Sequence, residues 1–261
     1  MKRIIVTGWG DNGGEASQFS VLASMLYFAE RCYKNSADVT NEWLNCRALE
    51  CFDISFDDLM AFDLPDSLPE VSVDVIDKPK SPCKSLLYND LLERFIDRHM
   101  NRANVTKEYT QRAEKLMALA KDPNFGYAFE TLGKLCHAVS LKAEMGWRLY
   151  EAYRDGDKNT LAKIADSEIP TLIEALQSFL VAFRRQWYKE NKTFGFTPQE
   201  IRIGGLITRV ESVKLRLDAY LNGEIEKIEE LECEPLPYEP TLDGTYTSHV
   251  QWHKIVSAGI Y

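Results

Sequence analysis

The 261-residue sequence predicts a mainly α-helical protein that begins with a single β-loop-α unit. Three observations carry this. One short β-branched apolar run, Ile4-Ile5-Val6, leads into a glycine-rich loop. Apolar residues at helical spacing follow the loop at once. From Asn35 onward the apolar pattern repeats every three to four residues, and the strand pattern stops.

Taken in order, Ile4, Ile5 and Val6 form a continuous run, which suits a short strand buried on both faces better than a half-exposed one. Phe19, Leu22, Leu26 and Ala29 then lie on one helical face, with Ser17 or Glu15 near its start to satisfy the free amides. Helical spacing continues through residues 40–52, 55–62, 89–100, 106–122, 127–157, 169–192 and 198–224. Four prolines and mixed polarity mark Asp63 to Cys83 as a loop or crossing segment. Ser167 before Pro170 reads as a helix start, Gly195 and Pro198 separate two long helices, and Pro235, Pro237 and Pro240 open an irregular tail. The expected domains are a βα unit over 1–34, a helical domain over 35–230 and a tail over 231–261. No internal repeat or low-complexity segment interrupts this order.

The net charge of −9 and pI near 5.1 argue against nucleic acid or an anionic membrane as partner, since both need clustered Lys and Arg. No run approaches the about 18 apolar residues of a membrane span, and the N-terminus lacks the layout of a signal peptide. The expectation is a cytoplasmic chain. Cys32, Cys46, Cys51, Cys83, Cys136 and Cys233 show no C-x-x-C pattern and read as reduced structural thiols. His99, His137, His249 and His253 form no ligand spacing, so no metal or other cofactor is expected.

The loop Gly8-Trp9-Gly10-Asp11-Asn12-Gly13-Gly14-Glu15 contains a literal G-x-G-x-x-G. A dinucleotide site would need a second parallel strand ending in an acid about 20 residues on, and here a polar, then helical stretch follows. Asp11 would also face a pyrophosphate that wants amides and positive dipole. The same residues suit a sugar better. An indole offers a flat wall for the less polar face of a sugar ring, and a carboxylate two positions on accepts hydrogen bonds from hydroxyls. The plainer alternative stays open: Trp9 as core and Asp11 as an Asx-turn or N-cap residue.

"GWGDNGGEAS" followed by "LASMLYFAE" resembles the last strand-loop-helix of the catalytic barrel in glycoside hydrolase family 20, in its bacterial β-N-acetylhexosaminidase branch with a helical C-terminal domain. "SPCKSLLYND" and "NKTFGFTPQEIRIGGL" are similar to two further stretches of that branch, in the same order. The resemblance implies an incomplete (β/α)8 barrel, its last βα unit, followed by the helical domain. It implies that Trp9 and Asp11 bind the terminal N-acetylhexosamine of a glycan, with Glu15 beside them as a third substrate-binding candidate or a helix N-terminal charge. It also implies a homodimer.

Family 20 enzymes use the substrate's own acetamide as nucleophile, oriented by an Asp, with a Glu as general acid. That pair belongs to an earlier strand, and a whole barrel takes about 250 residues. No catalytic residue is therefore assigned here, and the chain alone is expected to be inactive. The rival is a non-enzymatic helical interaction or scaffold module. Gly204 and Gly205 suggest close helix packing, with Arg202 able to reach an acid on a neighbouring helix. Tyr88, Asn89 and Asp90 read as caps of the 89–100 helix. Trp147, Tyr150, Tyr153, Trp187 and Tyr188 read as core aromatics.

Overall fold

A computed structural model describes residues 4–8, 14–67, 82–94, 97 and 104–234. Its helices are α1 (Leu22–Tyr33), α2 (Asn41–Phe52), α3 (Phe56–Leu59), α4 (Pro82–Tyr88), α5 (Val105–Leu119), α6 (Gly126–Lys142), α7 (Met145–Arg154), α8 (Lys158–Lys163), α9 (Ile169–Glu190), α10 (Thr197–Leu221) and α11 (Glu229–Glu232). No strand occurs among the described residues, so the chain is mainly α.

Helix α6 is the central element. It packs most extensively on α5 and α9, and α9 in turn packs on α10. Its sequence explains this, because Ala128, Phe129, Thr131, Gly133, Cys136, Ala138, Val139 and Ser140 are buried on more than one side. A helix that is apolar most of the way round must lie inside. Phe129, Tyr109, Leu116, Leu149, Leu172, Leu176 and Leu217 are removed from water altogether, in one cluster that extends to Ala23 and Leu26 of α1. The N-terminal helix thus shares the core of the later ones.

Residues 4–8 differ from the expected strand. They are irregular, with Ile4 61% and Ile5 84% exposed. The cause is the pairing problem of a lone strand: burying it without a neighbour would strand its N–H and C=O groups. The run 127–157 is two helices, broken between Lys142 and Met145, where Gly146 sits so close to Leu91 that a Cβ would meet the Leu91 carbonyl oxygen at 3.1 Å. Ser167 does not start a helix. Residues 158–190 run on through a π-helical turn, Ile164–Glu168, and Pro170 stands directly after it in the first turn of α9.

The segment after α4 is a turn rather than the expected helix. The Asp90 carboxylate accepts from the amides of Leu92 and Glu93, and Arg94 takes a left-handed φ of 53°. Such a turn ends helical propagation. Residues 95–96 and 98–103 of that run, the expected tail from 235 on, and Val71 to Ile76 lie outside the described residues.

Candidate functional site

From Gly14, which has φ +72°, five residues make contacts to α4, α10 and the C-terminal end of α9. Gly14 lies on the indole of Trp187, where a Cβ would stand 3.4 Å from Cζ3. The Ser17 hydroxyl donates to Glu190 Oε1 at 2.7 Å and accepts from the Phe19 amide, capping a 3-10 turn over Gln18–Val21. The Gln18 amide donates to Glu190 Oε2 at 3.1 Å, and its side-chain amide donates to Asn191 Oδ1 at 2.9 Å. Ser17 is thus the cap the spacing suggested.

Glu15 does something else. Lys84 Nζ donates to its Oε2 at 2.6 Å, and Arg202 Nη1 donates to its Oε1 at 3.3 Å. The Lys84 and Arg202 side chains are only 11% and 9% exposed. Burial pushes the Glu15 carboxyl above its ordinary value, with Lys84 and then Arg202 pulling the other way. Burial pulls the Lys84 ammonium down, opposed by Glu15. Lys84, Arg202 and Glu15 therefore share a poorly hydrated space, with the Asp66 charge acting on both Glu15 and Lys84, and mutual pairing is what makes their burial tolerable.

This cluster stands at the edge of a cavity of about 210 Å³. Its floor is apolar, from Phe62, Leu87, Leu135, Phe179, Phe183 and Ile203, while Glu15, Ser17, Lys84, Tyr88 and Gln199 supply polar edges. Burial raises the Tyr88 phenol, so it stays a neutral hydroxyl. The geometry offers a charged rim over an aromatic floor, with both Glu15 oxygens already engaged by cations.

A second cavity, of about 250 Å³, lies between Tyr88–Glu93 and the 205–213 stretch of α10. Arg209 grips both oxygens of Asp90 there, at 2.5 and 3.0 Å. The buried Lys142 ammonium donates to the Leu86 and Asn89 carbonyls. Burial lowers Lys142 to about 8, despite the opposing charges of Asp90 and Asp97.

Of the three expected site residues, Trp9 and Asp11 lie outside the described residues, and Glu15 stands in the ion cluster. Arg202 does reach an acid, on the N-terminal segment rather than a neighbouring helix. Gly204 does not mark a close helix approach, since a Cβ there would meet nothing within 4 Å. Among the described residues no group of three or more His, Cys, Asp or Glu is placed to hold a metal ion, and no helix is long and apolar enough to cross a membrane. Reading by residue type alone missed Lys84. A lysine flanked by the apolar residues of "CKSLL" was the available signal, because a helix buried on that face must pair its charge.

The family description of the glycoside hydrolase 20C C-terminal domain matches residues 57–250, which is most of the chain and takes in α4 to α11. The chain belongs to that family. The helical architecture around α6 is therefore the C-terminal domain of a glycoside hydrolase 20C protein, and the match takes in the two later of the quoted stretches, at 81–90 and 191–206. The matched span begins after Trp9, Asp11 and Glu15, and it includes Lys84, Trp187 and Arg202. No curated protein matches the chain.

Proposed function

We propose that this chain is the C-terminal part of a retaining β-N-acetylhexosaminidase, which releases the terminal N-acetylhexosamine of a glycan once a barrel is supplied. The observation that carries the reading is the match to a glycoside hydrolase 20C C-terminal domain, preceded in the same chain by a Trp-x-Asp loop. In this reading Trp9 provides the flat wall under the sugar ring, Asp11 accepts hydrogen bonds from its outer hydroxyls, and Glu15 adjoins them. The acid and the acetamide-orienting carboxylate come from the barrel, so the chain alone does not turn over. The enzyme works as a homodimer.

The test joins residues 1–261 behind a family 20 barrel that stops before its last strand, and measures hydrolysis of an aryl β-N-acetylglucosaminide. Activity should appear in the joined protein and be lacking in either part. Trp9→Ala and Asp11→Ala should each lower kcat/KM, Asp11→Ala by about 1–3 kcal/mol of transition-state binding if a buried hydroxyl is left unpaired. Unaltered kinetics in both variants would return the two residues to a structural role.

A further inference from the structure

We propose that Lys142 and the cavity of about 250 Å³ that it lines form a carbonyl-capture site, in which the lysine amine condenses with a small neutral aliphatic aldehyde to give an imine and one water. The site is built from the helical domain and does not depend on the sugar-binding reading of the N-terminal loop.

The first support is where the nitrogen stands. Lys142 ends α6, is 2% exposed, and its Nζ donates to the Leu86 carbonyl at 3.1 Å and to the Asn89 carbonyl. A tetrahedral nitrogen has four positions, of which Cε takes one and the two carbonyls take two. The fourth, a third N–H in the ammonium and a lone pair in the amine, is left for the cavity. Deprotonation therefore bares a lone pair and breaks neither carbonyl bond. Burial supplies the free amine: with Lys142 brought down to about 8, about a quarter of it is neutral at pH 7.5, against about one part in a thousand for a lysine at the ordinary 10.5. Desolvated lysines of this kind act as nucleophiles toward carbonyls.

The second support is space with a matching lining. The cavity exceeds the about 150 Å³ that accommodates a benzene, so a six-carbon chain fits. Its apolar wall comes from the buried Leu91, Leu206, Val210 and Val213, while Glu93 and Gly205 at its edge are exposed. A lysine needed only to satisfy two carbonyls requires no unfilled volume beside it, since protein interiors close-pack. The charges select a neutral guest. Arg209 is already paired with both oxygens of Asp90, and Asp90 and Glu93 repel an anion. Asp90 and Asp97 favour the positive form of Lys142, and so favour an iminium as well.

The step balances without an outside oxidant or reductant. Attack by the lone pair forms the C–N bond, and the former carbonyl oxygen becomes an alkoxide beside a cationic nitrogen that keeps both N–H bonds. One of those protons passes to the oxygen, a second comes from solvent, and the nitrogen lone pair expels water as the C=N bond forms. The iminium keeps one N–H for a carbonyl, and the released water can serve the other. Return of the borrowed proton to solvent gives the neutral imine.

The test treats the intact chain at pH 7.5 with hexanal and cyanoborohydride, whose hydride fixes the imine as a secondary amine, and maps the labelled residues by peptide mass spectrometry. Hexanal should label Lys142 about 10-fold or more faster than the exposed lysines. A branched poly(ethylene glycol) aldehyde, too large to enter, should label the chain's α-amino group, whose ordinary value is about 7.7–8.0, and leave Lys142 untouched. Excess hexanamide, a guest of the same length that cannot condense, should slow hexanal labelling of Lys142 about 10-fold and leave the α-amino group unaffected. Val210→Phe, which fills the apolar wall, should act like hexanamide, and the hexanamide arm on wild type decides where that variant does not fold. Exposed lysines labelled by hexanal with Lys142 unlabelled would overturn the proposal. So would labelling of Lys142 by the polymer at the hexanal rate, or labelling that hexanamide or a folded Val210→Phe leaves unchanged.

Discussion

Gly195 lies against Trp187, so close that a Cβ at Gly195 would stand 3.2 Å from the indole Cζ2. The same indole carries Gly14 and donates its Nε1–H to the Lys192 carbonyl at 2.9 Å, while Phe196 packs 5.5 Å away, centroid to centroid. One side chain thus joins the end of α9, the turn into α10 and the N-terminal segment.

Gly195→Ala should therefore destabilise the protein by about 2–3 kcal/mol. Its φ of +95° is beyond the left-handed well of L-residues, which alone costs about 1–2 kcal/mol, and the methyl must also displace a ring that is held by its bond to Lys192 and packed against Phe196. Gly156→Ala is the comparison: φ is +69°, and nothing lies within 4 Å of the added Cβ. At about 2–4 °C per kcal/mol, Gly195→Ala should lose visibly more Tm than Gly156→Ala. Equal losses would mean that the indole gives way freely.

Asp90→Asn should cost about 1–3 kcal/mol at neutral pH, because it removes the charge that Arg209 grips and weakens the acceptor of the Leu92 and Glu93 amides. Burial pushes the Asp90 carboxyl up, and the Arg209 bonds with the two amides more than offset it, so the folded value lies below the ordinary 3.8. A lowered carboxyl contributes stability above the unfolded value and loses it as pH falls through the folded one. The gap between wild type and Asp90→Asn in urea midpoints should be full at pH 7 and shrink below pH 3.8. A gap that persists in strong acid would assign the loss to shape rather than charge.

The helices were legible where a long apolar stripe decides them. Residues 106–122, 169–192 and 198–224 run close to α5, α9 and α10, because periodicity over several turns outweighs any single residue. The misreadings sit where a tertiary contact decides. Leu91 and Leu92 look helical, yet Asp90 closes a turn on their amides and is held by Arg209, 119 positions away. Ile4 to Val6 look like a strand, but a strand needs a partner that no local pattern supplies. The site was half legible for the same reason. Glu15 could be singled out from its loop, whereas Lys84 and Arg202 meet it only through the packing of α4 and α10.

Ile4, Ile5 and Val6 are exposed on this chain, and so are Val21, just before α1, and Met25 within it. Removing such surface from water is worth about 25 cal/mol per Å². The isolated chain should therefore self-associate at micromolar concentration, and deletion of residues 1–7 should weaken that association and improve solubility. Sedimentation of both forms measures this. A clean monomer for the intact chain would mean the apolar segment finds cover within the fold.

Lys142 provides the sharpest pH test, because its ammonium is 2% exposed and two terms of opposite sign act on it. Replacing it by methionine removes a buried charge, which helps, and leaves the Leu86 and Asn89 carbonyls without their donor, which costs about 1–3 kcal/mol each. pH separates the two. The folded value is about 8, against an ordinary 10.5, so between these limits the unfolded chain holds a proton that the folded chain has released. Stability then rises with pH at up to about 1.4 kcal/mol per unit, and it is lost again as pH falls through about 8. The methionine variant cannot titrate there. Wild type minus Lys142→Met should accordingly grow by about 2–3 kcal/mol between pH 7.5 and pH 10 in denaturant unfolding. Below pH 7.5 the difference should be flat, because both states of Lys142 are then protonated. A difference independent of pH across the whole range would show that the ammonium is better hydrated than its burial implies, and that only its bonds to the two carbonyls matter.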